Sequence, residues 1–211
     1  MRGLEETTQL LAELGERFDR IAVACSFQKE AVVIAHLVSE HLPKATFFTL
    51  DTGLFFGETY ETWERLEERL GITVEGRRGI TLEEQATLHG DALWQRDPDR
   101  CCDLRKVRPL REHLANNDVW VAGLRRDQSP ERADTPRLGW DAKHDLWKAA
   151  PLVDWTERDV WNHIFEHDLP YHPLHDRGYA SIGCEPCTKP GDAREGRWAG
   201  TDKIECGLHA A

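Results

Sequence analysis

The chain has 211 residues, 40% of them hydrophobic, with eight Trp and a formal net charge of −11. That length fits one domain with a sizeable core, and the acidic balance weighs against a nucleic-acid-binding surface. It holds no run of about eighteen apolar residues, and its opening stretch, MRGLEETTQLLAELGERF, is acidic and amphipathic, which argues against a membrane span or a signal peptide. The expected compartment is the cytoplasm, where persistent disulfides are rare and cysteine pairs more often hold metal or do redox work.

Residues 4–18 place Leu10, Leu11, Leu14 and Phe18 on one helical face. The apolar run RIAVACS, 20–26, reads as a buried strand, followed by FQKE and a helix over 31–42 that is apolar on most sides. TFFTL, 46–50, is a second strand closed by Asp51-Thr52-Gly53. A helix over 58–70 carries Trp63, Leu66 and Leu70 on one face, and short strands follow over 72–75 and 119–122. Strands alternating with helices predict βαβ units and a parallel sheet, whose ligands bind beyond the carboxyl ends of the strands. Residues 137–150 read as a hairpin turning at 142–144. Thr156 is expected to cap a helix over 157–167 with Val160, Trp161, Ile164 and Phe165 inward. Residues 190–211 lack periodicity and are expected to be mobile, which divides the chain into an α/β domain, 1–189, and a C-terminal tail, 190–211.

The loops at the carboxyl ends of the predicted strands are CSFQKE, LDTGLF and GLRRDQSPER. SFQKE, between a strand and a helix, is either an anion site built on free backbone N–H groups or an ordinary βα turn. LDTG offers polar groups to a nucleoside edge, or is a turn that needs Gly for positive φ. GLRRDQSPER brings Arg125, Arg126 and Arg132 to the binding edge of an acidic protein, and arginine forks match phosphate or sulfate oxygens.

Six cysteines complete the picture. Cys101 and Cys102 are adjacent in RCCDLRKVRPL; Cys184 and Cys187 stand in IGCEPC. Four thiolates form a soft donor set suited to zinc or an iron–sulfur cluster. Only the second pair has zinc-knuckle spacing, and adjacent helical residues point about 100° apart, so the spacing favours a wider four-iron cluster while leaving zinc and disulfides open. Lys106, four residues after Cys102, shares its face if the stretch is helical, and Pro109 is expected to start or kink the next helix. Cys25 reads as a small apolar core residue. Cys206, in the polar tail beside Glu205 and Gly207, is an incidental exposed thiol unless the tail folds onto a basic pocket. Arg194 and Arg197, on the same tail, would carry charge there.

SFQKE, LDTG, CC-x-x-x-K, GLRRDQSP, DWT-x-x-DVW, GC-x-x-C and ECGLH occur in this order. Through them, over about 20–209, the chain resembles the assimilatory reductases of sulfonucleotides, in particular the iron–sulfur type that acts on adenylyl sulfate (adenosine 5′-phosphosulfate). The resemblance implies a Rossmann-like parallel twisted sheet of the adenine-nucleotide alpha hydrolase type, and a [4Fe–4S] cluster on Cys101, Cys102, Cys184 and Cys187. It implies that Cys206 is the nucleophile, forming an S-sulfocysteine that thioredoxin or a similar dithiol donor resolves to sulfite. Lys106, Arg132, Arg194 and Arg197 match the basic residues around the phosphosulfate. Ser26, Leu50 and the turn holding Thr52 and Gly53 fall where the loop and adenine contacts lie. Two rivals stay open: a 3′-phosphoadenylyl-sulfate or dual-substrate reductase, and a zinc-stabilised nucleotide-binding module without redox activity. Neither the thiol donor nor a homo-oligomer is decided by the residues.

Overall fold

The computed structural model describes residues 2–209, without the side chain of Arg2. In chain order, α1 (Arg2–Arg17) leads to β1 (Ile21–Ala24), α2 (Lys29–His41), β2 (Thr46–Leu50), α3 (Gly57–Leu70) and β3 (Val74–Arg77). The short helices α4 (Leu82–His89), α5 (Leu93–Arg96) and α6 (Pro98–Cys102) follow, then a π-helical turn (Asp103–Val107) and α7 (Arg108–Leu114). The chain closes with β4 (Val119–Val121), β5 (Leu138–Asp141), β6 (Leu146–Ala149), α8 (Glu157–Glu166) and an irregular tail.

The six strands form one sheet in the order β3-β2-β1-β4-β6-β5. All neighbours pair parallel except β5, which runs antiparallel to β6 at the edge. The predicted α/β class is therefore observed, and the 137–150 hairpin extends the same sheet. Chain order reverses direction between β1 and β4, so the loops after these strands part and leave a crevice at their carboxyl ends.

Apolar sequence decides the layers. α1, α2 and α8 cover one face through Leu11, Leu14, Val33, Val38, Val160 and Ile164. The other face packs Phe48 and Trp120 against Leu110 and Leu114 of α7. Burying each such aliphatic side chain stabilises the fold by roughly 1.5–3 kcal/mol. Every residue of α2 from Lys29 to Val38 is buried, as a helix sandwiched between a sheet and two others must be.

Two expectations shift. β3 starts two residues late, because Gly71 caps α3 at φ +63° and Glu67 Oε1 accepts the Val74 N–H at 2.6 Å, holding the chain under the helix until then. Phe165 does not point inward. It is 64% exposed and stacks on Trp161, since five residues along a helix carry it about 140° from Val160.

Hydrophobic periodicity gives no account of the helical turns over 82–107, which pack on a small cluster of Leu93, Cys101 and Leu104 and lead into α7. Pro109 does kink this segment, and the π turn is how. Its missing N–H leaves the Arg105 carbonyl without an i+4 donor and its ring crowds that carbonyl. The helix widens instead, the Arg108 N–H reaching back five residues to the Asp103 carbonyl. The widened turn buries Arg105 and Lys106 on the side that already carries Cys101 and Cys102.

Candidate active site

A cavity of about 250 Å³ opens at the crevice between β1 and β4. Its floor includes Ser26, Leu50, Ala122 and Leu124 at the strand ends, and its rim includes Lys106, Arg132, Arg194, Arg197 and Cys206. Behind it lies a smaller cavity lined by Cys101, Cys102, Cys184 and Cys187 together with Thr52, Trp94, Arg105 and Trp198. Lys106 and Arg197 line both cavities and form the wall between them.

The loop after β1 is under local strain. Phe27 is left-handed at φ +58°, which costs a bulky side chain of order 1–3 kcal/mol unless its surroundings impose it. They do here: the ring is fully buried and stacks on Trp63 at 5.3 Å. That bend aims Gln28 outward, where Oε1 accepts the Ile182 N–H at 2.7 Å and ties the loop to the segment before Cys184. Lys29, buried at the helix start, donates to the Ala180 carbonyl and pairs with Glu157 at 3.3 Å. Gly123 lets the loop after β4 lie against α2, since a Cβ there would meet Glu30 at 3.0 Å. Glu30 in turn holds Arg125 at 3.1 Å.

The four paired cysteines are all free thiols, and Cys101, Cys102 and Cys184 are buried. Burial and neighbouring thiols push Cys101 up to about 12 and Cys187 up to about 11. Burial also raises Cys102. Cys184 is the exception: Lys106, a Thr52 hydroxyl 3.3 Å from its sulfur, and Arg197 outweigh burial and lower it. Lys106, itself buried, is held above its ordinary value because the thiols of Cys184, Cys206 and Cys102 outweigh its desolvation. Among the described residues no group of three or more His, Cys, Asp or Glu side chains gathers tightly enough for one metal ion. The cysteines ring a shared space instead, and a buried Arg105 Nη2 beside it has no partner. Four soft cysteine sulfurs around one space, with an unpartnered guanidinium N–H at its edge, suit a [4Fe–4S] cluster better than a single metal ion.

Arg105 and Gln85 are the residues that the motifs do not announce. Arg105 Nε donates to Gln85 Oε1 at 2.7 Å and Nη1 donates to the Thr52 carbonyl, so one buried guanidinium joins the turn after β2 to the cysteine helix. Its position, four residues after Cys101, is the same signal that draws attention to Lys106 after Cys102. Gly79 permits this approach, as a Cβ there would stand 2.2 Å from the Leu104 carbonyl.

The tail lies over the larger cavity. Trp198, 5% exposed, donates its backbone N–H to the Cys187 carbonyl at 2.9 Å. Arg197 and Lys203 sit over its ring at 4.5 and 5.5 Å. Lys203 also bonds Asp99, Lys143 bonds the Gly207 carbonyl, and His209 stacks on Trp120 at 5.2 Å. Between these anchors Cys206 is half-buried on the cavity wall.

The expected site residues divide accordingly. Ser26, Leu50, Lys106, Arg132, Arg194, Arg197 and Cys206 come together at the larger cavity. Thr52 faces the cysteines instead. Gly53 lines neither space. It occupies the left-handed turn at φ +66° and donates its N–H to Asp51 Oδ1. Arg126 also lies apart, donating to the Thr135 carbonyl at 3.1 Å and pairing with Asp154. Arg125 points to the cavity in its place, already paired with Glu30 and Asp127.

Comparison with known proteins adds a family. The phosphoadenosine phosphosulfate reductase domain matches residues 20–190. A Salinibacter ruber protein named adenosine 5′-phosphosulfate reductase is 48% identical over 199 residues, covering 92% of this chain and 79% of its own. A Geobacillus thermodenitrificans protein of the same name is 50% identical over 198 residues, covering 90% and 84%. Among solved structures, phosphoadenylyl-sulfate reductase from Candida auris in a phosphate complex superposes with a TM-score of 0.76 at 26% identity, covering 87% of this chain and 90% of that one. A yeast FAD synthetase shares the fold alone, at a TM-score of 0.66 and 15% identity.

Proposed function

The chain belongs to the phosphoadenosine phosphosulfate reductase domain family, and from that premise we propose that it reduces adenosine 5′-phosphosulfate to sulfite and AMP. One observation carries the reading: a thiol, Cys206, shares a cavity wall with Lys106, Arg132, Arg194 and Arg197 at the carboxyl-end crevice of the sheet. The Cys206 thiolate attacks the sulfur of the substrate's sulfate group. The bond from sulfur to the phosphate-bridging oxygen breaks, AMP leaves with that electron pair, and Cys206 carries an S-sulfonate. A thiolate of a dithiol donor such as thioredoxin then attacks the Cys206 sulfur and expels sulfite. The donor's second thiol resolves the mixed disulfide, so both electrons come from the donor. Thiolate and substrate are both anions, and clustered guanidinium and ammonium groups in a partly closed cavity offset their repulsion where it is greatest.

Cys101, Cys102, Cys184 and Cys187 would hold the [4Fe–4S] cluster. When bound it keeps those four thiols ionised and adds a fixed charge distribution behind the wall formed by Lys106 and Arg197. The relatives' shared name favours adenosine 5′-phosphosulfate over its 3′-phosphorylated form, and parallel kinetics with both nucleotides measures that preference.

The deciding experiment is mass spectrometry after incubation with adenosine 5′-phosphosulfate in the absence of any thiol donor. One SO₃ adduct is expected on the peptide that contains Cys206, lost in Cys206→Ser and on adding reduced thioredoxin. Normal turnover by a protein that never carries the adduct would falsify the mechanism.

A further inference from the structure

The geometry points to Glu205 as a positioning residue that occupies the anion site until substrate arrives and tethers the nucleophile to it. This rests on the function proposed above. Glu205 Oε1 accepts two N–H groups of Arg132, Nε at 3.2 Å and Nη2 at 2.8 Å. Its Oε2 accepts one from Arg194 Nη2 at 2.9 Å. All three side chains are largely withdrawn from solvent, at 17% exposure for Glu205, 11% for Arg132 and 20% for Arg194. The next residue is Cys206, and both arginines line the same cavity.

A carboxylate and a sulfate compete for the same guanidinium edge, because both present anionic oxygens that accept its N–H groups. Glu205 therefore fills, within the chain, the place that an incoming phosphosulfate needs. Its two grips are unequal. The two-point contact with Arg132 is stronger than the single bond to Arg194, so an arriving anion displaces the Arg194 bond first. Arg194 turns to the substrate while Arg132 keeps its hold on Glu205. The tail then remains fastened to the loop after β4, and the adjacent thiol stays beside the substrate it must attack. Ground-state binding is weakened by the carboxylate, while delivery of the thiol depends on it.

Those two effects oppose each other, which gives a signature that loss of tail packing does not. Binding of labelled adenosine 5′-phosphosulfate is measured on the whole chain in Cys206→Ser, which cannot turn over, and in the double variant with Glu205→Gln. Removing the competing charge is expected to tighten binding about tenfold. In the chain with Cys206 intact, Glu205→Gln should lower KM and kcat together. Equal or weaker binding in the double variant overturns the role of Glu205 and leaves the function standing. So does a KM that rises as kcat falls. If Cys206→Ser binds no adenosine 5′-phosphosulfate while its cluster and fold are intact, the functional reading fails and this inference fails with it.

Discussion

Gly183→Ala is the most telling single change, because it strikes Arg197 without touching its charge. A Cβ on Gly183 would stand 2.2 Å from Arg197 Nη2 and 2.5 Å from Cζ, so the guanidinium must leave its slot. That slot is well defined: Arg197 is 8% exposed, Nη1 donates to the Ile182 carbonyl at 3.1 Å, and the group sits over Trp198 at 4.5 Å. Displacing a hydrogen-bonded charge of this kind costs about 1.5–3 kcal/mol. If the loss falls on the transition state, kcat/KM should drop by roughly 10- to 150-fold. The assay is sulfite release at limiting adenosine 5′-phosphosulfate, run on Gly183→Ala, Arg197→Ala and the double variant. Because both changes act through one side chain, the double variant should match Arg197→Ala alone, giving a coupling nearly as large as the single effect. Additive losses would mean that Gly183 acts through the backbone before Cys184, and the account of Arg197 as the dividing wall would be wrong.

Lys106→Ala should slow sulfite formation by roughly 10²–10³-fold, as loss of a preorganised cation does, while iron and labile sulfide per chain stay near the parent value; equal losses of rate and iron refute it. Acid should destabilise the fold through buried histidines. Burial, helped by His167 and His36, lowers His163 to about 4, and burial with His175 lowers His172 to about 4. The unfolded chain binds these protons near 6.5 and the native chain does not, so stability is complete above that pH and declines as pH falls toward 4. Each histidine contributes roughly 2 kcal/mol of loss between pH 7 and pH 5. Urea midpoints that do not move over that interval would contradict the burial of both rings.

How much of this was legible from the residues follows from which force set each element. β1 and β4 are continuous apolar runs, β2 centres on Phe47 and Phe48, α1 has a clear apolar stripe, and Thr156 caps α8, so local chemistry and global packing agree there. The helical turns over 82–107 were not legible, because they serve a small cluster in which Cys101 takes a core position, and a cysteine adds little to hydrophobic periodicity. The π turn follows from Pro109, but its consequence, that Arg105 faces the cysteines as Lys106 does, needs three dimensions. Arg125 and Arg126 are indistinguishable in the sequence. Only the placement of Glu30 and Asp154 decides which one turns inward.

The charge of the whole chain makes the site more informative than its list of cations. At −11 the average field repels the proposed substrate, though at physiological ionic strength exposed charges are largely screened beyond about 8 Å. What an anion meets inside the crevice is therefore set by near neighbours. There the cations fall into two groups. Lys29 and Arg125 are matched by Glu157, Glu30 and Asp127, and they hold the loops in place. Arg132 and Arg194 share the single carboxylate of Glu205. Lys106 and Arg197 have no carboxylate partner among the described residues, and the ionisable groups that act on Lys106 include Cys184, Cys206 and Cys102. A buried cation left without a fixed carboxylate is costly to the fold. Two of them stand side by side between Cys206 and the four paired cysteines, which is the charge the proposed reaction needs: it would offset cysteine ligands behind the wall and the phosphosulfate in front.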